Sequence, residues 1–173
     1  MDDYLQGLID SLSSTDGMAR MRARETLVLV GDPAVPRLRA LLAGPDKRVR
    51  WEAVKTLAAI VDPGSLEEFL GLLDDPDSDL RWLAATGLIE LGPRAVRPVL
   101  RALTGASLPR GRLEMSRRIL GDLFADNKVL ADILSPLMQV IAGTDPAVIS
   151  ARAARALADL DRATGRPPDP GVT

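Results

Sequence analysis

Arg50-Trp51-Glu52-Ala53 recurs further along the chain as Arg81-Trp82-Leu83-Ala84. An earlier copy, Arg20-Met21-Arg22-Ala23, precedes them both, so that in chain order it is the first of three. In each copy, apolar residues follow the alanine by four and seven positions, which is the spacing of one helix face. The copies lie about 30 positions apart, a period that is typical of stacked helical repeats. A single helix of this length is marginally stable alone, so each unit must bury its apolar face against a neighbour.

Each copy continues into a second apolar segment that a proline introduces. The dipeptides at these starts are Asp32-Pro33, Asp62-Pro63 and Gly92-Pro93. Aspartate followed by proline is typical of the beginning of a helix. The apolar residues that follow also have helical spacing and do not alternate as in a strand. We therefore predict an all-α fold of about ten helices in four to five repeats.

The same pattern predicts the domain organisation. We expect one helical domain over residues 1–163 and a disordered tail over residues 164–173, where prolines and a glycine cannot continue a helix. Within the domain, the repeat pattern is close over 16–104 and divergent over 105–143, and a final repeat helix covers 145–161.

Two of the repeated stretches, Asp46-Lys47-Arg48-Val49-Arg50 and Asp77-Ser78-Asp79-Leu80-Arg81, resemble HEAT repeats of the short bacterial type called PBS-lyase HEAT-like. The resemblance implies a right-handed α-α superhelix of the armadillo-like helical class, and it says little about function. It also implies a structural ladder between repeats, because an arginine on an apolar face needs a partner. The ladder would join Arg50 and Arg81 to turn aspartates such as Asp46 and Asp77.

The composition narrows the classes of function. The 173 residues include no cysteine and no histidine, so the side chains offer no thiolate, no imidazole ligand and no histidine base. HEAT-like deoxyhypusine hydroxylases hold iron with histidine and glutamate, which this chain cannot do. Bilin lyases carry similar repeats, but no residues of a bilin site can be transferred. We predict no catalytic, cofactor-binding or metal-binding residues and no enzymatic activity.

Charge is unevenly distributed along the chain. The formal net charge is −2, which gives no overall attraction to nucleic acid or to an anionic membrane. Between Gly92 and Arg118, however, Glu114 is the only acidic residue. The arginines of this stretch either form a solvated surface or bind an acidic protein segment or a phosphate backbone. They are Arg94, Arg97, Arg101, Arg110, Arg112, Arg117 and Arg118.

Trp51 and Trp82 are the only tryptophans and occupy the same position in adjacent repeats. They either cover the shoulder between stacked helices or form an exposed apolar ridge for a partner, since tryptophan is enriched in interface hot spots.

The function predicted from the sequence is a non-enzymatic, cytoplasmic scaffold that binds another protein through an extended repeat surface. Nucleic-acid binding through residues 94–118 is the alternative.

Overall fold

The computed structural model describes residues 2–105, 107–143 and 145–167, and every regular element within them is helical. The predicted all-α fold class is therefore confirmed. Short 3-10 turns at Asp32–Ala34, Pro63–Ser65 and Gly92–Ala95 precede three of the helices. The helices are α1 (Asp2–Ser11), α2 (Gly17–Val30), α3 (Val35–Leu41), α4 (Lys47–Ile60), α5 (Leu66–Leu72), α6 (Ser78–Glu90), α7 (Val96–Ala102), α8 (Arg110–Phe124), α9 (Lys128–Met138) and α10 (Pro146–Thr164).

Short polar side chains fix the starts of five helices. In each case the side-chain oxygen accepts a hydrogen bond from a backbone N–H of the first turn, which would otherwise lack a partner. The capping residues are Asp16 for α2, Asp46 for α4, Asp77 for α6, Asn127 for α9 and Asp145 for α10.

Contrary to the prediction, the proline dipeptides do not lie at the start of the α-helices that follow them. Pro33 and Pro63 lie in 3-10 turns, and α3 and α5 begin only after those turns, at Val35 and Leu66. The side chain of Asp62 does not cap its turn. Proline suits the first turn of either helix type because it has no N–H to satisfy, so the dipeptide marks the turn and not the α-helix itself.

Contacts between helices divide the chain into an N-terminal unit, Met1–Leu91, and a C-terminal unit, Gly92–Thr173. In the N-terminal unit, α2 packs on α1 and α4, α3 on α4, and α6 on α4 and α5. In the C-terminal unit, α7 packs on α8 and α10, and α9 packs on α8 and α10. The boundary lies within the third predicted repeat, and the single domain over 1–163 stays a prediction. Of the predicted tail, Thr164 still belongs to α10, and residues 168–173 lie outside the described residues.

The repeated alanines and leucines form the core of the N-terminal unit. Ala53 and Ala84 are fully buried, as are Leu27, Leu57 and Leu88 at equivalent positions of three helices. Small and large side chains thus alternate on the faces where α2, α4 and α6 meet, which lets neighbouring helices interdigitate. The repeated sequence positions are therefore the positions that pack between neighbouring helices.

Candidate functional site

Arg50 forms the ladder contact predicted from the sequence, but with a different aspartate. Its Nη1 lies 3.0 Å from Oδ2 of Asp75, in the turn before α6. Asp46, one of the two turn aspartates named as candidates for the ladder, is not the partner of Arg50. Asp46 is used locally, because its Oδ1 accepts hydrogen bonds from the backbone N–H groups of Arg48 and Val49.

Arg81 reaches backbone carbonyls instead of an aspartate side chain. Its Nη1 donates to the carbonyl oxygens of Asp75 at 2.8 Å and Pro76 at 3.2 Å. Arg20, the equivalent residue of the first copy, makes the same pair of contacts with Ser14 and Thr15. These arginines therefore tie down the turn that precedes their own helix, which is a structural role.

Asp77, the other candidate aspartate of the ladder, pairs with a lysine and not with Arg50 or Arg81. Its carboxylate caps α6 and forms an ion pair with Lys47, whose Nζ lies 2.8 Å away. The hydrogen bond and charge of Lys47 lower the pKa of Asp77 below its ordinary value, and Asp77 raises the pKa of Lys47 in turn. The ionic contacts between repeats thus include Arg50 with Asp75 and Lys47 with Asp77.

Sequence reasoning missed a buried charge cluster around Glu52. Its side chain lies on α4, and the residue is only 4% exposed. Its two carboxylate oxygens meet Nε of Arg20 at 3.0 Å and Nη1 of Arg24 at 2.5 Å, both from α2. The signal was weak, because the equivalent position holds Arg22 in the first copy and Leu83 in the third. The cluster joins two repeats.

The two tryptophans lie on neighbouring helices that pack on each other, α4 and α6. Trp82 is 53% exposed. Trp51 is half-buried, and Nζ of Lys55 lies 4.6 Å from the centre of its ring, within the range of a cation–π contact. We call the surface of Trp51, Lys55 and Trp82 the tryptophan face. It presents aromatic area to its surroundings, as the ridge interpretation requires.

The predicted basic region contains an arginine with a structural partner. Arg97, on α7, forms an ion pair with Asp161 on α10. The side chain of Asp161 is only 4% exposed, so burying its negative charge without the ion pair to Arg97 would be unfavourable. Arg97 therefore has a structural role within the unit, and its contact with an outside ligand stays a prediction.

The remaining arginines of the predicted region are distributed over separate places in the C-terminal unit. Arg94 and Arg97 line one cleft together with Arg166. Arg110 and Arg117 line a second cleft of about 680 Å³ beside Glu114, and Nε of Arg110 lies 2.9 Å from that carboxylate. Nη1 of Arg112 donates to the carbonyl of Ala102 at the end of α7. Arg101 is exposed and Arg118 half-buried. The seven residues are thus divided between two clefts and their surroundings.

Among the residues that the structure describes, no group of three or more acidic side chains is placed to hold a metal ion. Asp75, Asp77 and Asp79, which alternate in the sequence, instead serve the turn and start of α6. None of the described helices is both long and apolar enough to cross a lipid bilayer.

Comparison with known proteins identifies the repeats. Residues 5–81 match the family model of HEAT repeats, which confirms the resemblance seen in the sequence. No protein of curated function matches the chain in sequence. An engineered protein of known structure is 25% identical and superposes with a TM-score of 0.50 over 92% of this chain and 80% of its own.

A second solved structure is the complex of CpcE and CpcF of phycocyanin lyase from Nostoc sp. PCC7120. The aligned chain is 23% identical, with a TM-score of 0.63 over 90% of this chain and 99% of that chain. At this identity the likeness concerns the fold. The prediction that our chain is not an enzyme is nevertheless contradicted, because the same fold forms part of a lyase. The lack of cysteine and histidine is no ground for excluding an enzymatic role.

Proposed function

We propose that this HEAT-repeat chain is a scaffold subunit that binds another protein through the tryptophan face. The observation that carries the proposal is the exposure of Trp82, since more than half of a large aromatic side chain is left uncovered on a helix of the repeat core. Tryptophan is among the residues that contribute most to protein interfaces. Covering its ring removes a large apolar area from water.

The repeat geometry extends this surface beyond one side chain. Trp51 and Trp82 occupy equivalent positions on helices that pack together, and in this proposal one partner covers both rings. Lys55 adds a positive charge beside Trp51. An interface on this face would combine apolar burial with one cation, which favours a protein surface over a nucleic acid.

The likeness to the CpcE and CpcF complex supports a protein as the partner, because that structure contains two different subunits. The proposal concerns binding and fits an assembly with enzymatic activity as well as one without. A cytoplasmic location for this assembly follows from the sequence prediction and forms part of the proposal.

The proposal can be tested by purifying the tagged chain from its native host, identifying the protein that co-elutes, and measuring the affinity of the two purified proteins by calorimetry. Trp82→Ala should raise the dissociation constant by about 30-fold, the loss expected for a hot-spot tryptophan. Since Trp82 is exposed, the variant should keep the unfolding midpoint of the wild type within a few degrees.

Val148→Ala serves as the matched control, because it shortens an exposed apolar side chain on a helix of the other unit. Its affinity should equal that of the wild type. Equal affinities for Trp82→Ala and the wild type would remove the tryptophan face from the proposal. Preferential retention of duplex DNA over any protein would favour the nucleic-acid alternative instead.

A further inference from the structure

We infer that the cleft lined by Arg94, Arg97 and Arg166 binds a short acidic segment of a protein partner. The inference rests on the proposed function in taking a protein as the ligand, and it adds a second site with its own chemistry. Trp82 is not among the residues that line the cleft, so the two sites can fail separately.

The cleft lies wholly within the C-terminal unit. It has a volume of about 640 Å³, and its walls come from the start of α7, the start of α9 and the end of α10. Clefts of about 300 to 1,000 Å³ are typical of ligand sites in proteins. The space suits a few residues of an extended or helical segment and is too small for a folded domain.

The charge of the lining is entirely positive. Among the described residues that line the cleft, three are arginines and none is acidic. Arg94 and Arg166 are exposed. Arg97 is held in place by the buried carboxylate of Asp161, so its guanidinium is oriented before any ligand arrives. Arginine pairs with carboxylates through two parallel hydrogen bonds, which gives both affinity and orientation.

The rest of the lining is largely apolar. Val96, Val129 and Leu160 contribute to the walls, and Val129 is 59% exposed although it is β-branched and apolar. A ligand that carries carboxylates beside aliphatic side chains would satisfy the arginines and cover this valine at once. An acidic peptide segment with interspersed apolar residues has that composition.

A nucleic acid fits the same cleft less well. No aromatic residue belongs to its described lining, so bases would have no ring on which to stack. A phosphate backbone also requires a row of basic groups. Two other arginines of the predicted basic region, Arg110 and Arg117, line the other cleft beside Glu114. The observations therefore favour a peptide carboxylate over a phosphate.

The experiment uses the full chain and a fluorescein-labelled peptide of glutamate and leucine residues, with a second peptide in which glutamine replaces every glutamate. Fluorescence anisotropy should show saturable binding of the acidic peptide and at least about tenfold weaker binding of the glutamine peptide. The double variant Arg94→Gln/Arg166→Gln should weaken binding of the acidic peptide by about tenfold. This variant leaves the ion pair of Arg97 with Asp161 intact.

Arg152→Gln/Arg155→Gln is the matched control, since it removes two exposed charges from α10 outside the lining of the cleft. It should bind the acidic peptide as the wild type does. Absence of binding by the wild type, equal loss in both double variants, or tighter binding of duplex DNA than of the peptide would each overturn the inference. Trp82→Ala should leave peptide binding unchanged, which separates this result from a failure of the proposed function.

Discussion

The two units of the chain use arginine in different ways. In the N-terminal unit, Arg20 and Arg81 occupy a repeated position and make the same contacts with the turn before their own helix. In the C-terminal unit, Arg97 pairs with Asp161, a residue far away in sequence that no repeat relates to it. Repetition therefore reveals a structural arginine, whereas a unique arginine can be equally structural without any sign in the sequence.

The largest effect should come from reversing the charge of Arg97. Arg97→Glu would place a second carboxylate against the buried Asp161, and we expect unfolding to become easier by about 4 kcal/mol. Urea unfolding followed by far-UV circular dichroism measures this. Arg101→Glu, an exposed position on the same helix, should cost less than about 1 kcal/mol. Equal costs for the two variants would show that the C-terminal unit does not depend on its unique pair.

The next effect concerns Glu52 in the N-terminal unit. Glu52→Ala removes the carboxylate that joins Arg20 and Arg24 and should destabilise the unit by about 3 kcal/mol. Both tryptophans lie in this unit, so their fluorescence during urea unfolding reports the change. Glu25→Ala, at an exposed position on α2, should shift stability by no more than about 0.5 kcal/mol. A similarly small loss for Glu52→Ala would mean that the cluster contributes little.

A smaller loss of stability should follow when one methyl group is added at a tightly packed glycine of the repeats. A Cβ atom at Gly87 would lie 2.7 Å from Cε2 of Phe69, a fully buried ring that cannot move aside. Gly87→Ala should therefore destabilise by about 1 to 2 kcal/mol, even though alanine favours helix. Gly71→Ala, which meets no atom within 4 Å, should stabilise by about 0.5 kcal/mol. Thermal unfolding would show shifts of opposite sign, and a stabilising Gly87→Ala would contradict the packing.

The smallest effect lies at the ion pair of Lys47 and Asp77. Because Lys47 lowers the pKa of Asp77, the carboxyl should titrate below its ordinary value in a pH series followed by carbonyl NMR. In Lys47→Gln its pKa should rise toward that value. The pair supports folding at neutral pH, and its contribution should be lost as pH falls through the lowered pKa of Asp77. An unchanged pKa in Lys47→Gln would show that the cap alone sets it.

Much of the fold could be predicted because each repeat shows the same spacing of apolar residues. The spacing of Ala53, Leu57 and their equivalents predicted which helix faces are buried. The proline dipeptides located the turns but not the first α-helical residue, since a proline fits a 3-10 turn equally well.

The contacts of charged side chains could be predicted only in part. The structural role of Arg50 follows from its place on an apolar face, but the sequence does not distinguish Asp75 from the other turn aspartates as its partner. The pairing of Arg97 with Asp161 could not be predicted, because the two residues are distant in sequence and no repeat relates them. Such pairs form only when distant helices pack together, and the residue pattern of a single helix carries no information about that packing.

Binding through the tryptophan face is tested most directly by hydrogen exchange of the chain with and without the purified partner. Mass spectrometry should show slower exchange in the complex for Lys47–Ile60 and Ser78–Glu90, the helices that carry Trp51 and Trp82. Trp82→Ala should reduce this protection at the same partner concentration. Protection confined to the C-terminal unit, with no change in α4 or α6, would contradict the proposed function.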